Sequence, residues 1–90
     1  MDSKSVNRVK VQIYGTEYSL RGQGTEDHIR LVAARVDKAM REIAAANPQL
    51  DQKRVAVLTA VNLADELLKI RRECEELLEL LDEQTSSSKS

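Results

Sequence analysis

Leu67–Leu81 reads LLKIRRECEELLELL. Apolar residues return every three or four places with charges between them, the spacing of a helix that buries one stripe. Counting from Ala60 in alternating steps of three and four gives Ala60, Leu63, Leu67, Ile70, Cys74, Leu77 and Leu81. This is a heptad seam, with Ala60, Leu67, Cys74 and Leu81 at a and Leu63, Ile70 and Leu77 at d. Only a short serine-rich tail, TSSSKS, follows it. The stripe must be covered by earlier residues of the same chain or by another molecule.

The helix that carries the seam has a start signal well upstream. Asp51 is placed to accept hydrogen bonds from free backbone N–H groups, and Leu50 and Val55 stand where a hydrophobic staple closes. With no Gly or Pro to stop it, the helix is expected to run to about Gln84. An earlier helix is expected from Thr25, a cap followed by Glu26 and Asp27 near the positive end of the dipole, to about Ala46. Asn47-Pro48 ends it, because the residue before proline avoids the helical region. At 1.5 Å per residue the first helix spans roughly 30 Å and the second roughly 50 Å, leaving about 20 Å without cover from the first. The seam falls in that excess. It therefore reads as the interface of a parallel homodimeric coiled coil, with Cys74 facing its twin and a g to e′ pair between Glu66 and Arg71. A long helix packed in its own core is the alternative. Leu78 and Leu80 widen the apolar surface and leave room for a weak tetramer.

Before the helices the pattern has period two. Val9, Val11 and Ile13 alternate with Arg8, Lys10 and Gln12, as in a half-buried strand. Gly15-Thr16 reads as a type II′ hairpin turn, which pairs Tyr14 with Glu17, Ile13 with Tyr18 and Val11 with Leu20. Gly22 and Gly24 break the second strand, and the first helix should then turn Ile29, Val32, Val36, Met40 and Ile43 inward. The expected fold is α+β and mostly helical: residues 1–8 a flexible N-terminus, 9–50 a hairpin-and-helix head, 51–84 the long helix, and 85–90 a disordered tail.

Composition narrows the function. Ninety residues make one small domain at most, for which association with another copy is a natural source of extra core. Charged residues are 32% of the chain but the net charge is −1, so nucleic acid is not the expected partner, and with no uninterrupted apolar run of about eighteen residues no membrane span is expected. Cys74 and His28 each stand alone, giving no disulfide framework and no metal or cofactor site. Gly22-Gln23-Gly24 lacks the further glycine or Lys-Ser/Thr of a phosphate-binding loop and reads as a turn feeding a cap. Asn62 reads as a satisfied structural contact. No nucleophile stands beside a base, so an enzyme is not expected. On the outer face of the first helix Arg30, Leu31, Lys38, Arg41 and Glu42, with Ala34 and Ala45 keeping it flat, suit an acidic helical or filament partner, or are simply a solvated face.

The strand VKVQIYG, the turn and strand GTEYSL, the helix end MREIAAANPQLD and the run KRVAVLTAVNLADEL, in this order and spacing, resemble the ZapA family of cell-division proteins. The resemblance spans Val9 to about Leu81 and is to the shorter form found in Gram-positive bacteria. It implies a cytoplasmic, non-enzymatic factor that binds the tubulin-like GTPase FtsZ at mid-cell and crosslinks its filaments, the head contacting FtsZ and the long helix making the oligomer. Gram-negative members carry a basic residue just after the turn glycine that contributes to FtsZ binding; Thr16 stands there in this chain. The FtsZ-binding candidates are therefore chosen by charge and exposure: Arg30, Lys38, Arg41, Lys53 and Arg54. A dimeric strand-and-helix DNA-binding module, using Arg8, Lys10 and Arg21 on phosphates, is the alternative.

Overall fold

The computed structural model describes residues 6–89. Strand β1 (Val6–Ile13) and strand β2 (Thr16–Gln23) form an antiparallel hairpin, followed by helix α1 (Glu26–Ala46) and helix α2 (Gln52–Lys89). The expected flexible N-terminus lies outside the described residues up to residue 5, whereas residues 6–8 already belong to β1. The helix also runs past Gln84 to Lys89, since serine and threonine weaken a helix without breaking it as Gly or Pro would; Ser90 lies outside the described residues.

The hairpin corrects the expected turn. Its two-residue loop is Tyr14-Gly15, not Gly15-Thr16, and both residues have positive φ, 52° and 81°, as a type I′ turn requires. Val9 therefore pairs with Leu20, Val11 with Tyr18 and Ile13 with Thr16. This is a shift of two residues from the expected register, so each side chain keeps its face; a shift of one would have turned every apolar residue outward. Val9 and Val11 are buried together with Ile29 and Ala33 of α1, and Ile13 and Leu20 pack at the margin.

Local signals set the ends of α1. The Thr25 Oγ1 accepts the His28 backbone N–H at 3.0 Å, and Glu26 and Asp27 occupy the first turn. At the other end the Asn47 N–H reaches the Ile43 and Ala44 carbonyls, and its Nδ2 donates to the Ile43 carbonyl at 3.0 Å. These bonds satisfy carbonyls that α1 itself leaves open. Between them the inward stripe is Ile29, Ala33, Ala39 and Met40, with Val36 and Ile43 half-buried. Val32, expected on this stripe, is 46% exposed. One residue is roughly 100° of turn about a helix, and it is the small Ala33 that faces the strands, where a valine would hold the backbone further off.

After a turn closed by the Leu50 N–H on the Asn47 carbonyl, Asp51 caps α2, its Oδ1 accepting the Arg54 N–H at 2.9 Å. The chain divides into two compact units, residues 1–59 and 60–90. In the first, Val55 is fully buried, and Thr59 is buried with its hydroxyl donating to the Val55 carbonyl at 2.7 Å. The second is helix alone. Deleting the two methyl groups of Val55 leaves a void that a helix-anchored site cannot close, so Val55→Ala should cost about 2 kcal/mol in urea unfolding. Leu31→Ala, at a position 70% exposed, should stay within about 0.5 kcal/mol of the parent.

Candidate protein-binding surfaces

Two sets of groups face outward among the described residues. The first is the seam. Ala60, Leu63, Leu67, Ile70, Cys74, Leu77 and Leu81 lie on one uninterrupted helix, where steps of three and four place them in one stripe. Leu67, Ile70, Leu77 and Leu81 are 54–59% exposed, Ala60 and Cys74 are exposed, and Leu63 is half-buried. Leu68, Leu78 and Leu80 add further exposed apolar surface beside it. Asp65 and Lys69 form an exposed ion pair at 3.0 Å one helical turn apart, of the kind that steadies a helix modestly.

The second set is basic, and here the structure separates residues that look equivalent in the sequence. Arg30 is bonded through all three of its nitrogens: its Nε and Nη2 donate to the Glu26 Oε2 at 3.2 and 2.7 Å, and its Nη1 donates to the Lys10 carbonyl at 3.4 Å. Lys38 is exposed on α1. Lys53 and Arg54, in the first turn of α2, join Leu50, Val57 and Leu58 in lining an open groove of about 490 Å³, with Val57 and Leu58 55% and 40% exposed. Basic heads on an apolar floor match an acidic amphipathic segment.

Arg41 belongs to a cluster that no short sequence pattern discloses. The Tyr14 backbone N–H, at the hairpin turn, donates to the Asp37 Oδ1 at 2.7 Å across 23 residues of sequence. Asp37 Oδ2 accepts from the Arg41 Nε at 3.0 Å, and the Arg41 guanidinium lies over the Tyr14 ring, 6.0 Å from its centroid. The carboxylate thus ties the turn to α1 and orients the arginine. Of this cluster only Arg41 was singled out by charge and exposure. Asp37 was missed; its i,i+4 spacing from Arg41 was a visible signal, but the reach to Tyr14 was not.

The backbone N–H of Tyr14 is the main reason the Asp37 carboxyl titrates below its ordinary value of 3.8, with the Arg41 hydrogen bond and charge acting in the same direction and partial burial opposing them. A carboxyl with a lowered folded-state pKa stabilises the fold above its unfolded-state value, and that contribution disappears as pH falls through 3.8 and on through the folded-state value. Asp37→Asn should therefore be less stable than the parent at pH 7, and the gap between their melting temperatures should narrow steadily below about pH 4. Melts at pH 7, 5 and 3 check this; a gap independent of pH would mean that the charge of Asp37 does not matter.

The chain is thus a small α+β protein, with a polar clasp at its hairpin turn and a long helix that carries an exposed leucine stripe. Among the described residues no helix is long and apolar enough to cross a membrane. Residues 9–89 match the family described as cell division protein ZapA, and the chain belongs to that family. It is 51% identical over 73 residues to cell division protein ZapA of Bacillus anthracis, covering 81% of this chain and 82% of that one. To the protein of the same name from Geobacillus sp. (strain WCH70) it is 44% identical over 81 residues, covering 90% and 93%. A solved structure, a ZapA mutant dimer from Geobacillus stearothermophilus, aligns with a TM-score of 0.74 and 45% identity over 91% of this chain and 95% of that one. The hairpin and two helices are thus the family's fold.

Proposed function

We propose that this cell-division protein binds FtsZ and bundles its filaments as a cytoplasmic homodimer at mid-cell, the seam of α2 joining two copies and each head holding one filament. The observation that carries the reading is the leucine stripe, which stays more than half exposed in the single chain at Leu67, Ile70, Leu77 and Leu81. Each such residue gains roughly 1.5 to 3 kcal/mol on full burial, so the stripes of two copies together can offset an association cost of roughly 4 to 15 kcal/mol. The solved relative, itself a dimer, supports a homodimer here. Family membership supports division as the setting.

The mechanism asks for no bond to be made or broken. A two-fold symmetric dimer presents every head surface twice, and two weak attachments combine through effective concentration into one firm crosslink. The basic groups of the heads, among them Lys38, Arg41, Lys53 and Arg54, supply attraction to an acidic filament surface. The DNA-binding alternative gains no support from the hairpin, in which one chain supplies both strands of the ribbon that such a dimer would assemble from two.

Leu67→Glu tests the mechanism, since two carboxylates facing each other in an apolar seam are incompatible with pairing. The variant should sediment as a monomer and lose FtsZ bundling by light scattering while the wild type bundles; full bundling by a proven monomer contradicts the proposal. Parallel, in-register pairing also places Cys74 opposite its twin, within reach of a disulfide. Mild oxidation should then give a Cys74–Cys74 dimer in high yield, and none once Leu67→Glu has separated the chains. A wild-type dimer that resists crosslinking would point to the opposite helix orientation.

A further inference from the structure

The basic residues of the head differ in how much hydrogen-bonding capacity they offer a partner. Arg30 uses Nε, Nη1 and Nη2 on Glu26 and Lys10. Arg41 uses Nε alone, on Asp37; among the described residues its Nη1 and Nη2 carry no hydrogen bond, and its side chain is 60% exposed. Its direction is nonetheless fixed, because Asp37 holds the Nε edge while the Tyr14 ring lies beneath the guanidinium. Asp37 is itself held by the Tyr14 N–H. The hairpin tip itself is uncrowded: a Cβ added at Gly15, the other turn residue, would meet nothing within 4 Å.

We propose that Arg41, oriented by Asp37 and seated over Tyr14, receives a carboxylate of an acidic protein surface at the hairpin tip. For the identity of the partner this rests on the FtsZ-binding reading; the chemistry does not. A guanidinium with two adjacent free NH₂ groups pairs end-on with a carboxylate through two parallel hydrogen bonds, which a lysine ammonium cannot reproduce. Because the side chain is already held, little rotamer entropy remains to be lost on binding. Asp37 is then a positioning residue. It also lowers the local positive charge, so recognition depends on geometry more than on net attraction. Tyr14 shares in the surface through its ring and through a left-handed backbone, φ 52°, that is uncommon for a residue other than glycine and is stabilised here by its bond to Asp37.

The test uses the full chain and two probes. With a hexaglutamate peptide at low salt, followed by NMR of arginine Nε–H groups, the Arg41 signal should shift saturably and the Arg30 signal should not. Asp37→Ala, which leaves Arg41 in place but unoriented, should weaken the response several-fold, and Arg41→Lys should weaken peptide binding about tenfold with hairpin amide signals unchanged. Equal responses from Arg30 and Arg41, or full peptide binding by Arg41→Lys, overturn the proposal. The second probe is co-sedimentation with GTP-assembled FtsZ filaments, where Arg41→Lys should bind about tenfold more weakly and Arg30→Lys within twofold of wild type. Pelleting that is indifferent to Arg41 overturns the inference and leaves the FtsZ reading standing. Failure of the wild type to pellet overturns the FtsZ reading, and the peptide experiment still decides the role of Arg41.

Discussion

The exposed stripe of α2 is the constraint around which the chain is organised. Solvated leucines in such number are a standing cost, and a stripe of them on a helix can be relieved only by another apolar surface. The polar residues between them show what kind of relief is available. From Glu73 to Glu83 the helix carries six acidic residues and no basic one, so two parallel copies would bring like charges together near their C-terminal ends, where the helix dipole is also negative. The leucine contacts must then supply the attraction and the charges a limit on it. Salt should screen that repulsion, in contrast to the proposed head contacts, which would depend on opposite charges and weaken with salt.

The head solves a different problem. A two-stranded hairpin is marginal on its own, and here it gains stability from burying Val9 and Val11 against Ile29 and Ala33. That burial fixes which face of the hairpin meets α1 but does little to fix the turn, which lies beyond the apolar residues. Asp37 does this with one carboxylate that serves two donors from different elements, Tyr14 and Arg41. Because the bond goes to a backbone N–H, it constrains the turn itself. A change at Asp37 would be expected to alter the hairpin tip more than the hairpin core.

This division explains what could be read from the sequence. The caps at Thr25 and Asp51 were legible because each involves residues three apart, and the end of α1 at Asn47 because Pro48 follows it. The position of the turn was not, since Tyr14-Gly15 and Gly15-Thr16 both offer a glycine and the choice between them is supported by Asp37 from 23 residues away. Val32 was read into the inward stripe as the larger apolar residue, whereas it is Ala33 that packs against the strands. The seam was legible as a pattern on one helix, which the structure has, whereas its pairing involves a second copy and is no property of one chain. In the site, Glu26–Arg30 and Asp37–Arg41 are the same i,i+4 pattern in sequence. One arginine donates through all three nitrogens within the fold and the other through Nε, a difference made by the Lys10 carbonyl and the Tyr14 ring.

The two halves of the proposed function place opposite demands on strength, and different interactions of the chain would meet them. A crosslinker of dynamic filaments must let go as they turn over, so each head contact has to be weak, while the joint between heads has to outlast many such contacts. Polar recognition through one oriented guanidinium suits the first demand, because an exposed charge-assisted contact contributes modestly and is exchanged readily with water. Burial of a leucine seam suits the second, since it grows with each heptad and does not depend on a single bond. Strengthening the head would therefore not improve such a protein. It would convert a reversible brace into a fixed one, and the effective concentration supplied by a dimer would already let weak contacts hold two filaments together.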